Sequence, residues 1–270
     1  MSDYIYAYQG KLIRPSSGKI IGKVTPAHVP PFTLRFQFVD ASESFDPTQQ
    51  TWYYNSEGTW THVEGSVWDF YYPYTRWWIG GQPTYKLCIF GGANRGSKYT
   101  AGPLQNVAFN IIDANVTGVT NAPRLFWDCR AMKSICLFDT SGLKEVGGWF
   151  ERCVDLSYLP NFNFSGVVHE DSYSRDFAQF FDLDKRAPTD SHKGLLAIPD
   201  LTLPSSGSLI FDRMFNYTYY VESGALALYN KAVNIAGKHA STFNKCGKNT
   251  VSGTAELAQI PTSWGGTMSA

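Results

Sequence analysis

The chain has 270 residues, a hydrophobic content of 43%, and 23 basic against 23 acidic residues, so its formal net charge is zero. This composition is typical of a folded globular protein, and the balanced charge argues against nucleic acid or an anionic membrane as a partner. No run of about 18 apolar residues predicts a membrane span. With 16 tyrosines, 18 phenylalanines and 8 tryptophans, the chain favours β-structure and packed aromatic faces.

The first 31 residues form an aromatic segment followed by a proline-containing linker. Tyr4, Tyr6 and Tyr8 alternate with smaller residues, which predicts an extended strand with one aromatic face. A strand of this size has too little core to stand alone. We therefore interpret residues 1–31 as a docking segment, with these three tyrosines as candidate contacts to a partner. The N-terminus lacks the pattern of a secretory signal, so we expect synthesis in a cytoplasm without export by a signal peptide.

Residues 32–106 predict a β-rich cap. Apolar and polar residues alternate over 33–39, which is the pattern of a half-buried strand. Further strands are predicted at 51–55, 59–63, 67–72 and 86–90. They indicate a small antiparallel region that closes one end of the molecule.

Two stretches in the middle of the chain repeat each other. When Leu125–Ser141 is aligned with Trp149–Ser165, Phe126 falls on Phe150 and Cys129 on Cys153, always at an offset of 24. A fixed period of this size predicts units that stack on copies of themselves. We place these repeats at 107–222. The first is a degenerate copy, in which Ile112 and Asp113 occupy the positions of Phe138 and Asp139.

The spacing between equivalent residues then changes. Ile198-Pro199 takes the place of Leu159-Pro160 at an offset of 39, so about 15 residues are inserted. We expect residues 166–193 to loop out as a polar insert and offer them as a second recognition surface. Residues 223–270 predict a C-terminal cap. Its helix lies within 223–237 and is suggested by apolar residues at helical spacing, namely Leu226, Tyr229, Val233 and Ala236.

Motifs for catalysis, cofactors and metals lack support. The five cysteines include no CxxC pair, and we interpret Cys129 and Cys153 as small buried residues. Asp182, Asp184 and Asp190 are weak calcium candidates, since the EF-hand spacing is missing, and a solvated loop is favoured. The glycine-rich segment 91–98 does not follow the phosphate-loop order, so a surface turn is favoured. No catalytic, cofactor or metal residue is predicted.

The candidate binding surface is aromatic and consists of Tyr72, Tyr74, Arg76, Trp77 and Trp78. Aromatic rings stack on sugars and anchor protein interfaces. The alternative is that half of these side chains point inward and seal the cap.

The form F-x-x-C-x-x-L-x-x-I/L-x-x-F-D/N-x-S at Phe126–Ser141 and Phe150–Ser165 resembles the BspA-like leucine-rich repeats of bacterial surface proteins and of phages of gut bacteria. The resemblance implies a β-rich α+β fold. A short degenerate leucine-rich-repeat-like solenoid would lie between an antiparallel β-cap and a helix-containing cap. It also implies an interaction module, not an enzyme.

We expect a bacteriophage virion structural protein, such as a capsid decoration, head fibre or tail appendage. Its partners would be other virion proteins or copies of itself, and host-surface glycan or protein if it takes part in host attachment. The alternative is a glycan-binding bacterial surface adhesin.

Overall fold

The computed structural model describes residues 6–8, 11–14, 19–23, 32–39, 59–72, 85–86, 90–95, 98–102, 104–170, 174–183 and 192–268. Over these residues the chain is a β-rich α+β protein with short strands, a mixed sheet and two α-helices. The expected β-rich α+β class is therefore confirmed.

The N-terminal residues form a small antiparallel sheet. Strand β1 (Tyr6–Tyr8) pairs with β2 (Lys11–Arg14), which pairs with β3 (Lys19–Lys23). The predicted extended strand is β1. The prediction of a single strand followed by a linker was nevertheless incomplete. Two further strands, β2 and β3, follow β1 and pair in the same sheet. Among the described strands, none outside this sheet pairs with it.

The largest sheet contains five strands in the order β11-β10-β4-β6-β5. Their bounds are β4 (Phe32–Phe38), β5 (Thr59–Glu64), β6 (Val67–Tyr72), β10 (Phe109–Asn115) and β11 (Met132–Ile135). Strands β10 and β11 are parallel and the other neighbours are antiparallel, so the sheet is mixed. The strands predicted over 33–39, 59–63 and 67–72 are confirmed, whereas the one predicted at 51–55 lies outside the described residues.

Alternation along β4 places one face of this sheet in the core. Leu34 and Phe36 are fully buried and Phe38 nearly so, while Gln37 is exposed. The predicted boundary between cap and repeats near residue 107 is wrong in one respect. Because β4 pairs with β10 over residues 33–38, strands of the predicted cap and the first repeat strand belong to one sheet.

A second small sheet follows, made of β7 (Tyr85–Lys86), β8 (Gly92–Arg95) and β9 (Lys98–Ala101). The strand predicted at 86–90 is only partly confirmed. Lys86 lies in β7, residues 87–89 are outside the described part of the chain, and Phe90 is buried in a turn.

Five turn segments follow one another at 122–129, 146–153, 177–183, 211–218 and 239–246. Each has a fully buried phenylalanine at the same position, namely Phe126, Phe150, Phe181, Phe215 and Phe243. In the first four segments, the amide of this residue donates to the carbonyl just before its counterpart in the next segment, over 2.7 to 3.0 Å. Backbone hydrogen bonds therefore join equivalent positions of successive copies.

The backbone turns in the same way in every segment. Two residues before the phenylalanine, φ is positive at Arg124, Gly148, Gln179, Arg213 and Ser241, with values from 58° to 71°. This conformation costs a non-glycine residue roughly 1–2 kcal/mol. Since four of the five residues are not glycine, the packing of the copies, and not local preference, imposes the turn.

The prediction that residues 166–193 form an exposed insert is wrong for their middle part. The third turn segment lies there, with Phe177, Phe180 and Phe181 fully buried. The offset from the second copy is 31 at Phe181 and 39 where Asn163 pairs with Thr202. The predicted offset of 39 is therefore correct, but seven of the extra residues precede the third turn segment and eight follow it.

The C-terminal region contains helices α1 (Ala225–Ala232) and α2 (Val251–Leu257), a 3-10 turn (Thr262–Trp264) and the parallel pair β12 (Leu209–Ile210) and β13 (Ala236–Lys238). The predicted helix is present but shorter than expected. The second helix, α2, was not predicted.

The buried face of α1 also differs from the prediction. Ala225, Leu228 and Ala232 are buried, whereas Val233 is 40% exposed. Glu256 of α2 accepts hydrogen bonds from the amides of Gly224 and Leu226 at the start of α1, over 3.2 and 3.1 Å. The periodicity of apolar residues in the sequence does not indicate such a contact between two helices.

Candidate functional site

The solvent-facing side of the five-stranded sheet is the strongest candidate for an interaction surface. We call it the open face and define it by residues opposite to the buried side of β4 and of its neighbours, namely Thr33, Arg35, Gln37, Thr61, Asp69, Asn110 and Asp113. All are polar. The buried side of the same strands is apolar, which is the alternation expected of a sheet with one wet face.

An ion pair orders the centre of the open face. The guanidinium of Arg35 on β4 donates two hydrogen bonds to Asp69 on β6, at 2.7 and 2.9 Å. This pairing raises the pKa of Arg35; burial opposes the rise, while the charges of Asp69, Asp113 and Glu64 add to it. Because the arginine already has its bidentate partner, it offers a fixed geometry rather than a free cation.

The open face extends to β11, and the offset of 24 points to a further position. Ser134 donates a hydrogen bond to Asn110 over 2.7 Å, and Tyr158 stands a further 24 residues on. The side chain of Tyr158 is 68% exposed and that of Leu137 nearby in the repeat is 63% exposed. Sequence reasoning missed both residues, although the offset of 24 would have placed Tyr158 in line with Ser134.

A second polar cluster lies at the turn segments and is closed. The guanidinium carbons of Arg124 and Arg152 lie 5.2 and 5.1 Å from the centre of the buried Trp127 ring. Arg124 also lies 3.6 Å from Glu151, which is 3% exposed. Such cation–π contacts cover the indole. The cluster therefore has a packing role between neighbouring turn segments.

In the later turn segments, the position equivalent to Trp127 is occupied by polar residues that contact one another. Asn216 donates to Asp182 over 3.0 Å, Asn244 donates to Asn216 over 2.8 Å, and Arg213 lies 2.8 Å from Asp182. The interpretation of Asp182 as part of a solvated loop is wrong, because this residue is fully buried. Asp184 and Asp190 lie outside the described residues. Within the described part of the chain, no cluster of three or more His, Cys, Asp or Glu side chains is arranged to hold a metal ion.

The cysteines behave as small apolar residues. Cys129, Cys153 and Cys246 are buried, which confirms the interpretation of the first two as small buried residues. Burial raises the pKa of Cys153 well above its usual value and that of Cys246 to about 12. A buried thiol that resists ionisation is a poor nucleophile.

The glycine-rich segment 91–98 is a packing element at its start, not a plain surface turn. Gly91 is buried, and a Cβ atom added there would lie 2.2 Å from the carbonyl oxygen of Trp127. Only glycine fits so close an approach of two backbones. The rest of the segment belongs to strands β8 and β9, apart from residues 96–97, which are outside the described chain.

Two of the three Asn-x-Ser/Thr sequences belong to a repeated turn. Asn115, Asp139 and Asn163 are spaced by 24, and each side-chain oxygen accepts a hydrogen bond from the amide two residues later, over 2.9 to 3.1 Å. These are Asx turns. The sequences at Asn115 and Asn163 are thus explained by the fold.

The residues selected from the sequence are only partly described. Tyr6 and Tyr8 lie in β1, and Tyr72 is the last residue of β6. Outside the described residues are Tyr4, Tyr74, Arg76, Trp77 and Trp78. The docking and aromatic-surface hypotheses therefore remain predictions.

Comparisons of the chain with protein-family models, curated proteins and solved structures gave no match. Among the described residues, no helix has the length and apolarity needed to cross a membrane.

Proposed function

We propose that the chain is a non-enzymatic interaction protein whose copies form a short leucine-rich-repeat-like solenoid between an N-terminal β-cap and a helix-containing C-terminal cap. The observation that supports this most is the set of backbone hydrogen bonds from Phe126, Phe150, Phe181 and Phe215 to the following copy. A stack of this kind is a rigid scaffold, because each copy is held by its neighbours.

The arrangement of charges supports binding over catalysis. Asp69 is paired with Arg35 on the open face, and the buried Asp182 with Arg213. Carboxylates held in this way are committed to structure, whereas an acid–base site needs titratable groups that converge on a substrate. The open face, with ordered polar groups beside the exposed Tyr158, has the composition of a recognition surface.

We further propose that this protein belongs to a phage particle, as a capsid decoration, head fibre or tail appendage. The resemblance of the repeats at 126–141 and 150–165 to those of gut-phage proteins supports this. The N-terminal sheet, β1 to β3, would dock on other virion proteins, and the repeat body would project outward. Pairing of β1 and β2 with strands of their own sheet alone favours a separate docking unit.

Purified particles of the parent phage test the proposal. We expect mass spectrometry to detect the chain in the particles at a fixed stoichiometry and electron microscopy to place it on their surface. Deletion of residues 1–23 should abolish incorporation and leave the circular dichroism of the body unchanged. Absence of the chain from purified particles would overturn the virion proposal, and unfolding of the truncated chain would overturn the docking role.

The exposed Tyr158 and Leu137 favour a second candidate function, that of a glycan-binding adhesin. A glycan array with the full chain distinguishes the two, since a purely structural role predicts no binding. If binding occurs, Tyr158→Ala, or the pair Trp77→Ala and Trp78→Ala, should remove it according to which surface is used. Val251→Ala is a suitable control, because Val251 is 92% exposed and lies in α2.

A further inference from the structure

Three equivalent residues, one just before each of the first three turn segments, form a buried polar group. They are Asn121, Glu145 and Asp176. Asn121 and Glu145 pair as a parallel bridge, and the amide of Val146 bonds to the carbonyl of Asp176 over 2.9 Å. Glu145 is 7% exposed and Asp176 is fully buried. Two carboxyl groups of adjoining copies are thus enclosed side by side.

Glu145 forms no close ion pair among the described residues, although the charge of Arg175 acts on it. Its carboxyl accepts a hydrogen bond from the Arg175 amide over 2.9 Å and lies 3.4 Å from the side-chain nitrogen of Asn121. No ion pair in the described part of the chain includes Glu145, and the Arg175 guanidinium donates to Gln179. The side-chain oxygen of Asn121 is buried without a hydrogen-bond donor. A neutral Glu145 can donate as well as accept, so it suits either orientation of the Asn121 amide, whereas a carboxylate suits only one.

Asp176 has one titratable partner. It accepts a hydrogen bond from the Ile210 amide over 2.8 Å, and His169 Nδ1 lies 3.1 Å from it. The His169 side chain is 34% exposed. Nearby, Lys144 and Glu170 pair with each other at 2.9 Å. The imidazole of His169 therefore contacts Asp176, while the charge that acts on Glu145 in the favourable sense is that of Arg175. Enclosing a carboxylate is costly unless it is well paired.

We propose that Glu145 and Asp176 form a proton-binding site between adjoining copies, and that proton uptake there strengthens the contact between the second and third turn segments. The inference is independent of the proposed function. Acidification of the surroundings therefore stabilises the contact between these two copies.

Burial is the largest influence on the pKa of both carboxyl groups, and its direction is the one expected from their enclosure. It raises the pKa of Glu145, as does the charge of Asp176, while the Arg175 amide, Asn121 and the Arg175 charge oppose the rise. Burial likewise raises the pKa of Asp176 against the Ile210 amide and His169. An acid whose folded pKa is raised gives stability that is fully present below its unfolded pKa and is lost as the pH increases through the folded pKa.

The test is urea unfolding of the full chain and of Glu145→Gln between about pH 4 and pH 8. Glutamine keeps the size and the acceptor but cannot ionise. We expect its urea midpoint to exceed that of the wild type near neutral pH, with the difference shrinking to zero at the acidic end. A midpoint equal to or below that of the wild type at neutral pH would overturn the proposal.

Glu151→Gln is the matched control. Glu151 is equally enclosed but lies 3.6 Å from Arg124, so its substitution should lower the neutral-pH midpoint. A direct measurement on the wild type does not depend on any variant. The carboxyl carbon resonance of Glu145 should titrate with a midpoint above the ordinary glutamate value, and a midpoint at or below that value would also refute the site.

Discussion

The second and third turn segments have nearly the same structure and very different sequences. Residues 146–153 echo the first segment at a constant offset of 24, whereas residues 177–183 lie at an offset of 31. They keep the buried phenylalanine, now Phe181, the left-handed residue two places before it, a buried aromatic residue at 180 and a buried acidic residue at 182. Both segments donate backbone hydrogen bonds to the next copy in the same pattern.

The comparison shows which features the two hydrogen-bonded turn segments have in common. The retained features are the ones that let one turn lie on the next: a large apolar side chain inside and a backbone that bends sharply before it. Phe126 and Phe150 stack with ring centres 5.6 Å apart, and Phe181 continues the column at 6.2 Å.

The largest expected effect comes from Phe181→Ala. Because Phe181 is fully buried between Phe150 and Phe215, its truncation should lower the free energy of unfolding by about 3–5 kcal/mol. Chemical denaturation measures this loss. Val168→Ala, in the same stretch but with Val168 43% exposed, should change stability by less than about 0.5 kcal/mol. If the two variants lose equally little, residues 177–183 are not a packed copy.

Gly148→Ala tests the bend itself and should have an intermediate effect. Gly148 has φ of 71°, and an added Cβ would lie 2.7 Å from Cγ of Arg124. We expect a loss of about 1–2 kcal/mol in the free energy of unfolding, from the left-handed backbone alone. Gly142→Ala is the control, since the nearest atom to its added Cβ is 3.9 Å away. Equal stability of the two variants would show that the bend is not under constraint.

Much of the fold could be predicted where spacing is constant. Alternation gave the buried side of β4, and the offsets of 24 and 39 gave the pairing of the repeat strands. The third turn segment escaped prediction because seven and eight extra residues flank it, so no fixed period includes it. Its polar surroundings then made Phe177, Phe180 and Phe181 resemble isolated apolar residues in a loop.

The candidate site was harder to predict than the fold. The open face depends on the pairing of β4 with β10, whose residues are far apart in the sequence. Alternation identifies a polar side of each strand but not the neighbours of that strand, so the contact between Arg35 and Asp69 has no local signal. Tyr158 is different, since its repeat position already placed it in line with Asn110 and Ser134.

The smallest expected effect concerns the Asx turn that the early copies share. In Asp139→Ala, the amide and hydroxyl of Ser141 lose their acceptor, at 2.9 and 2.7 Å in the native protein. We expect a loss of about 0.5–1 kcal/mol in the free energy of unfolding at neutral pH.

The effect of Asp139→Ala should depend on pH. The hydroxyl and then the amide of Ser141 lower the pKa of Asp139, so its contribution is present above the unfolded pKa and is lost as the pH falls through the folded value. Wild type and variant should therefore converge in acid when their urea midpoints are compared. Asp139→Asn should keep the turn at every pH, since asparagine fills the same position at residues 115 and 163. If Asp139→Asn is as unstable as Asp139→Ala, the carboxylate charge and not the turn geometry is what the copy requires.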